Sequence, residues 1–425
     1  MIRSSVLKRI VLVLAAVTLA ACGGSTSSGP ATKTASDVGV TASQITLGGT
    51  IALSGPAAAY GTIAKASNAY FSYVNDNGGV NGRKIKYNYL DDGYNPAQTV
   101  PLTKQLVEGS DPVFAMFGGL GTQAQVSVEP YLNTKKVPQV FVATGATQFS
   151  AQKDKYPYTF GWQPTYQGEA LIYAKELLAA SPAPKVAVIY QNDDYGQDYL
   201  AGLKKGLGGQ ASSMIVATQS NDVGAPDVKS QIGTLKASGA DTLMVFETPS
   251  PAIKSIATAA AFGWHPTIYL NSVAAPIPYV GAAQKATGSA AAVNGIKTVS
   301  YVKDNLDPAN SSDPGVTLFN TIMTKYYPDG KTTDAFNMYG MAVAFTMVDV
   351  LKKAGDNPTR KSLISALNNF NETDNPFLAH GVSAKNTSSD HFTITQEAPA
   401  VYDAANTRYK VDSTLIDVRG KITYP

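Results

Sequence analysis

Gly119, Leu120, Gly121, Thr122, Gln123 and Ala124 carry the spacing in this chain that most suggests chemistry. They follow the apolar run Val113–Phe117 and precede a stretch of helical periodicity, so they read as G-x-G-x-x-A in a strand-to-helix turn. Glycines in such a turn let an anion approach backbone amides at a helix N-terminus. The dinucleotide fingerprint, however, belongs to the first strand–helix unit and needs an acid about twenty positions on to hold a ribose. Here the glycines sit in the third unit, and Val140–Thr144 occupies the region where that acid should lie. The turn is therefore expected to present Thr122 and backbone amides to a ligand that is not a dinucleotide.

Other reactive side chains are few. His265, His380 and His391 share no metal-ligand spacing. Asp91 and Asp92 have the types for acid–base work, but Gly93 and Pro96 favour a turn closed by an Asx hydrogen bond. There is no G-x-S-x-G elbow. Cys22 is the single cysteine, without a partner for a disulfide or a metal site. These patterns support neither an enzyme nor a cofactor nor a bound metal.

Cys22 closes an N-terminal segment in which Arg3, Lys8 and Arg9 precede an apolar run beginning at Ile10, the build of a secretory signal. Its end, "LAAC", resembles a bacterial lipobox, in which the cysteine is lipidated and becomes the first residue of the mature chain. Residues 1–21 are thus expected to be a lipoprotein signal peptide. Residues 22–43, opening "CGGSTSSGPATKTASD", are expected to be a flexible tether. Two or more acyl chains, at about 0.8 kcal/mol per buried methylene, would hold the body at the outer face of a membrane. Gly23 is not the aspartate that retains many lipoproteins on a Gram-negative inner membrane, which favours a single-membrane organism over a periplasm. The longest other apolar stretch, Met338 to Leu351, is too short to span a bilayer and carries Asp349.

Charge narrows the partners. Three of the 34 Lys and Arg precede Cys22, leaving 31 against 31 Asp and Glu, so the expected mature chain is formally neutral. No basic run with interleaved aromatics suggests a nucleic acid.

The elements that must position these residues alternate regularly. Strand-like runs are Ile45–Leu53, Lys84–Leu90, Val113–Phe117, Gln139–Ala143, Lys185–Tyr190, Met214–Thr218, Thr242–Phe246 and Ile268–Leu270. Between them lie amphipathic helices, such as the face made by Ile63, Ser67, Tyr70, Phe71 and Val74. Such βαβα alternation predicts an α/β fold of parallel sheets, with ligands beyond the carboxyl ends of the strands. Length alone predicts two lobes. The turns after the strands hold small residues, including Gly145 and Ala146, which admit a small polar or anionic ligand.

The order of segments carries a resemblance. "ITLGGTIALSGPAAAYG", the helix ending in "NDNGGVNGR", "DDGYNP", "FGGLGTQAQ", "VPQVFVATGAT", "VAVIYQNDDYGQDYL" and "LKASGADTLMVF" closely resemble branched-chain amino-acid type solute-binding proteins of ABC importers, over nearly all of residues 44–300. The C-terminal third matches only in general pattern. The resemblance implies two doubly wound parallel-sheet lobes joined by a three-strand hinge, the periplasmic binding protein type I fold. It places one lobe at about 44–160 plus 301–370 and the other at about 161–300 plus 371–425. It implies a monomeric receptor that closes on a solute and delivers it to an ABC permease, or, alternatively, a ligand sensor coupled to a signalling partner without transport.

The resemblance also assigns residues. Thr122, Gly145 and Thr147 match positions that hold a ligand carboxylate, while Tyr60 and Tyr195 match aromatic positions that pack on the ligand. Both tyrosines could equally brace their helices, and both threonines could cap theirs. The chain departs from the family where an acid should meet a free ammonium: "TIYLNSVAAP" offers only Asn271, Ser272 and Val273. A second-lobe aromatic is replaced by Thr248. Glu247, ahead of Asp193 or Asp194, is the best substitute acid, although a plain surface carboxylate is the simpler reading. A buried ammonium without a partner is costly, so an amide or aromatic acid stands close behind an amino acid as the expected ligand.

Overall fold

The computed structural model describes residues 33–422, and the chain from Lys33 onward forms one compact unit. The signal peptide, Cys22 and the first part of the expected tether lie outside the described residues. The second part, 33–43, is docked on the fold. Thr34 N donates to Asn357 Oδ1 (3.1 Å), Ser36 Oγ to Pro358 O (2.6 Å), and Arg360 N to Asp37 Oδ2 (2.7 Å). Buried Arg83 donates to Thr34 O (3.0 Å), Thr41 O (2.7 Å) and Asp356 O. Small polar composition suggested a tether here, but Val40 anchors the segment in the core and the guanidinium satisfies its carbonyls.

Two parallel sheets form the frame. The first is built from β1 (Gln44–Ile51), β2 (Lys84–Asp91), β3 (Ala115–Phe117), β4 (Gln139–Val142) and β5 (Thr159–Gly161), in the order β2-β1-β3-β4-β5. The second begins with β6 (Val186–Gln191), β7 (Ile215–Asn221), β8 (Thr242–Phe246), β9 (Thr267–Leu270) and β10 (Lys297–Ser300), in the order β7-β6-β8-β9-β10. Each repeats the same doubly wound order, whose inner strands are buried on both faces and so read as near-continuous apolar runs, while the edge strands β2 and β7 are partly exposed. Leu243 to Phe246 and Val186 to Ile189 are all fully buried.

Helices cover both faces of each sheet. On the first, Leu106, Val113, Met116, Val128 and Leu132 fill one face, while Leu47, Phe71, Phe117 and Val343 belong to the opposite core. The helix Ala335–Lys353 is buried nearly all round, which explains the long apolar stretch in the sequence. It crosses the helix Gly61–Asp76 closely at Gly340, where Ser67 Oγ donates to the Gly340 carbonyl (2.8 Å). A Cβ at Gly340 would strike the Ile63 carbonyl and lie 2.9 Å from Ala66 Cβ. Among the described residues, no helix is long and apolar enough to cross a membrane.

The chain passes between the two bodies three times: after β5, after β10, and on the way into β13 (Gln396–Asp403). Strand β13 pairs antiparallel with β10 and is flanked by β14 (Arg408–Val411) and β15 (Ile416–Asp417). Before that last passage, β11 (Asn369–Glu372) and β12 (Ala384–Thr387) form a hairpin. Phe370, Phe377, Leu378, Ala384 and Ile394 belong to the first core, so residues 371–394 pack with the first body and not with the second, where the resemblance puts them.

Candidate functional site

One cavity of about 130 Å³ is lined by turns that follow strands of both sheets. Tyr60 follows β1, Tyr94 follows β2, Leu120 to Thr122 follow β3, and Ala143 follows β4. From the other side come Tyr195 after β6, Thr248 after β8, and Ser272 with Val273 after β9. Gln163, Tyr166 and Tyr301 reach it from the first two crossings, and Tyr339 and Phe336 from the helix Ala335–Lys353. An apolar cavity on the order of 150 Å³ takes a benzene-sized guest.

The cavity is closed by contacts between the two bodies. Tyr60 Oη donates to Val273 O (3.0 Å), and Tyr279 Oη lies 3.3 Å from Ala59 O and 3.4 Å from Asp334 Oδ2. The Tyr60 and Tyr279 rings both pack on Phe336, with centroids 4.9 and 5.4 Å away.

The glycine turn serves an aromatic ring. Gly121 has φ of +91° and caps the helix Thr122–Thr134, and a Cβ there would lie 2.7 Å from the Tyr94 ring. Tyr94 itself has φ of +62°, a left-handed conformation that is an outlier for a bulky residue. It is held there because Tyr94 N donates to Asp92 Oδ1 (3.0 Å), and Asp92 Oδ2 accepts from Thr99 Oγ1 (2.8 Å). Asp91 Oδ1 accepts from Leu53 N, Ser54 N and Gly93 N (2.9, 3.2 and 2.9 Å). The paired aspartates thus close the turn, as the Asx reading expects.

Of the residues expected in the site, Tyr60, Thr122, Tyr195 and Thr248 line the cavity; Gly145, Ala146, Thr147 and Glu247 do not. Thr147 is committed elsewhere: its N and Oγ1 both donate to Asp198 Oδ2 (2.9 and 2.8 Å), while Gln167 Nε2 donates to Asp198 Oδ1 (2.8 Å). Gly145 accepts from Tyr166 N (2.8 Å), and a Cβ on it would lie 2.5 Å from Pro164 O and 2.7 Å from the Tyr166 ring. Ala146 N donates to Thr144 Oγ1 (3.1 Å). Glu247 is 0% exposed, accepting from Asn221 Nδ2 (2.9 Å) and Ser255 Oγ. Burial pushes its carboxyl up to about 7. It is neither a surface carboxylate nor a cavity-facing partner for an ammonium.

Asp193 caps the helix Asp194–Leu207 and accepts from Gln191 Nε2, and Asp194 is exposed. Two charged side chains do line the cavity, at its hinge end. Lys303 Nζ pairs with Asp313 (2.7 and 2.8 Å). Asp304 accepts from Leu306 N (2.8 Å), and its field reaches Tyr409 at the same end. Behind the wall, buried Glu169 accepts from Tyr173 Oη (2.7 Å), Tyr199 Oη (2.8 Å), Ser272 N (2.8 Å) and Ser272 Oγ (2.6 Å). Glu397, fully buried on β13, has no hydrogen-bond partner on either carboxyl oxygen. Burial, and then the nearby Glu169, push its carboxyl well above the usual range.

The aromatic wall is only partly legible in the sequence. Tyr94 lies inside the "DDGYNP" turn but has no family role attached to it. Gln163 and Tyr166 follow β5, a three-residue strand too short to show as a pattern. No His265, His380 or His391 side chain joins the site: the first two are exposed, and His391 is buried and stacked on Phe160 with centroids 4.1 Å apart. Among the described residues, no group of three or more His, Cys, Asp and Glu could hold a metal.

Comparison with known proteins agrees with this geometry. The model of a family described as periplasmic binding protein matches residues 44–399. A Leu/Ile/Val-binding protein homolog 3 from Brucella melitensis biotype 1 is 26% identical over 200 residues, which are 47% of this chain. The match spans about half of that relative, 53% of its length. Among solved structures, a fatty acid ABC transporter substrate-binding protein from Thermomonospora curvata superposes with a TM-score of 0.76 at 21% identity, covering 90% of this chain and 95% of that one. A branched chain amino acid ABC transporter protein from Thermus thermophilus with bound valine gives 0.76 at 18% identity, covering 88% and 96%. At such identities the likeness concerns the fold alone.

Proposed function

The chain belongs to the periplasmic binding protein family, and on that premise we propose that it is the extracytoplasmic solute-binding receptor of an ABC importer. Its solute is a small amino acid or a related carboxylate or amide, held between two lobes that close as a clamp. The observation that carries this reading is the closed cavity itself: it lies at the carboxyl ends of both parallel sheets, and the Tyr60 hydroxyl bonds the Val273 carbonyl across it. A ligand seated there touches both lobes only when they are closed, so binding shifts the population toward the form a permease recognises.

The first lobe in this reading comprises residues 44–160 and 301–370 together with the hairpin β11–β12, and the second comprises 161–300 and the chain from β13 onward. Cys22 supplies a lipid anchor after removal of residues 1–21, and the receptor works as a monomer. Acids and amides are favoured over free amino acids, because Glu247 is sealed behind the wall. The relatives' own ligands, a fatty acid and valine, span both possibilities.

The test is a thermal-shift screen of the protein against amino acids, short amides and aliphatic and aromatic carboxylates. A ligand at a hundred times its dissociation constant adds about 2.7 kcal/mol to stability. A solute that raises the melting temperature and compacts the protein in solution scattering is the expected outcome. A panel in which no solute does either would sink the receptor reading.

A further inference from the structure

Four tyrosines, Tyr60, Tyr94, Tyr166 and Tyr195, line the cavity wall, and the Tyr166 hydroxyl acts electrostatically on the other three. Their protein partners are not alike. Tyr60 gives its proton to Val273 O (3.0 Å). The other three receive. Thr144 Oγ1 donates to Tyr166 Oη (3.2 Å), accepts from Ala146 N (3.1 Å) and lies 2.7 Å from Thr122 Oγ1. Gln191 Nε2 lies 3.5 Å from Tyr94 Oη, with the amide oriented by Asp193, which accepts from Nε2, and by Thr248 Oγ1, which donates to Oε1 (3.0 Å). Asn271 Nδ2 donates to Tyr195 Oη. Its orientation is set by the Glu247 carbonyl (2.9 Å), which can only accept.

A phenol that accepts from the protein still has its own proton to give, and a bond received polarises the one donated. Burial holds all four hydroxyls protonated far above their ordinary range. Resting on the receptor reading, we infer that Tyr94, Tyr166 and Tyr195 form a three-donor clasp for an oxygen acceptor on the ligand, a carboxylate or carbonyl group carried on an apolar body. The clasp stands in for the expected one: Thr122 meets Thr144, the neighbour that bonds Tyr166, and Thr147 is spent on Asp198. The strained backbone of Tyr94 over Gly121 is consistent with a position set by function.

The experiment titrates the protein with four probes that separate head from body: hexanoate, hexanamide, hexylamine and valine. Hexanoate or hexanamide should bind, with hexylamine and valine at least tenfold weaker. Tyr94→Phe and Tyr166→Phe should each weaken the bound acid or amide roughly 10-fold, the scale of one lost hydrogen bond to an acceptor, with ligand-free melting curves showing that both variants fold. Asn271 Nδ2 keeps the Glu247 carbonyl in Tyr195→Phe, so that variant should weaken binding to a similar extent. Tighter binding of hexylamine or valine, or an acid or amide whose affinity is unchanged in Tyr94→Phe and Tyr166→Phe, overturns the clasp and leaves the receptor reading standing. Silence from all four probes overturns the clasp, and the broader screen above then decides the receptor reading separately.

Discussion

Tyr60 Oη and Val273 O, 213 positions apart in sequence, are joined by a 3.0 Å hydrogen bond that ties the turn after β1 to the turn after β9. It crosses between the two bodies at the cavity wall, and so belongs to the closed arrangement rather than to the stability of either sheet.

Replacing Tyr60 with Phe keeps the ring against Phe336 and removes only that bond. About 1 kcal/mol of closure energy should be lost, a roughly fivefold weaker dissociation constant by calorimetry. The ligand-free melting temperature should move little. An unchanged dissociation constant would separate the bond from ligand capture.

Thr147→Val should act in the opposite way. Asp198 would lose the hydroxyl and keep Thr147 N and Gln167 Nε2. Stability should fall by about 1–3 kcal/mol in urea unfolding, with solute affinity intact. A selective loss of affinity would restore Thr147 to the binding site.

Stability should decline as pH rises from 6.5 to about 8. Burial raises Glu129 to about 8 and Glu247 and Glu372 to about 7, from ordinary values near 4.5. The folded protein therefore binds more protons than the unfolded chain between those limits, and each group's contribution is lost as pH rises through its folded value. His391, depressed to about 4 by burial, opposes this only below its unfolded value of 6.5. From pH 6.5 to 8 the carboxyls act alone. Melting temperatures should fall across that window, and Glu129→Gln should flatten the slope; a rise would contradict the buried-acid assignment.

Gly340→Ala should cost about 1–3 kcal/mol, because the added methyl meets the Ile63 carbonyl and Ala66 where two helices cross. Chemical denaturation measures it. A neutral effect would mean that the helices can separate freely.

The frame is legible because inner parallel strands are buried on both faces and the edge strand β2 alternates: Thr242–Phe246 has its expected bounds, and β1, β2 and β6 shift by a residue or two. The return strand β13 is not. Its sequence "QEAPAVYD" sets a buried Glu397 and a Pro399 in a strand, against both composition and propensity. In the site, the resemblance points to Tyr60, Thr122 and Tyr195, which line the cavity, but not to how Thr147 is used. Its partner Asp198 lies 51 positions away on another element, and hydrogen-bond commitment between such elements leaves no local pattern. The same holds for Tyr94, Tyr166 and Tyr195, whose roles depend on which neighbour donates to them.

Arg83 and its carbonyl partners fasten residues 34–41 to the first body, beside the turn at Asp356 and Asn357. The segment that enters the fold is thus fastened to the body carrying β1 to β5, and its place is set by Arg83 and by the turn at Asp356 and Asn357 rather than by any strand of β6 to β10.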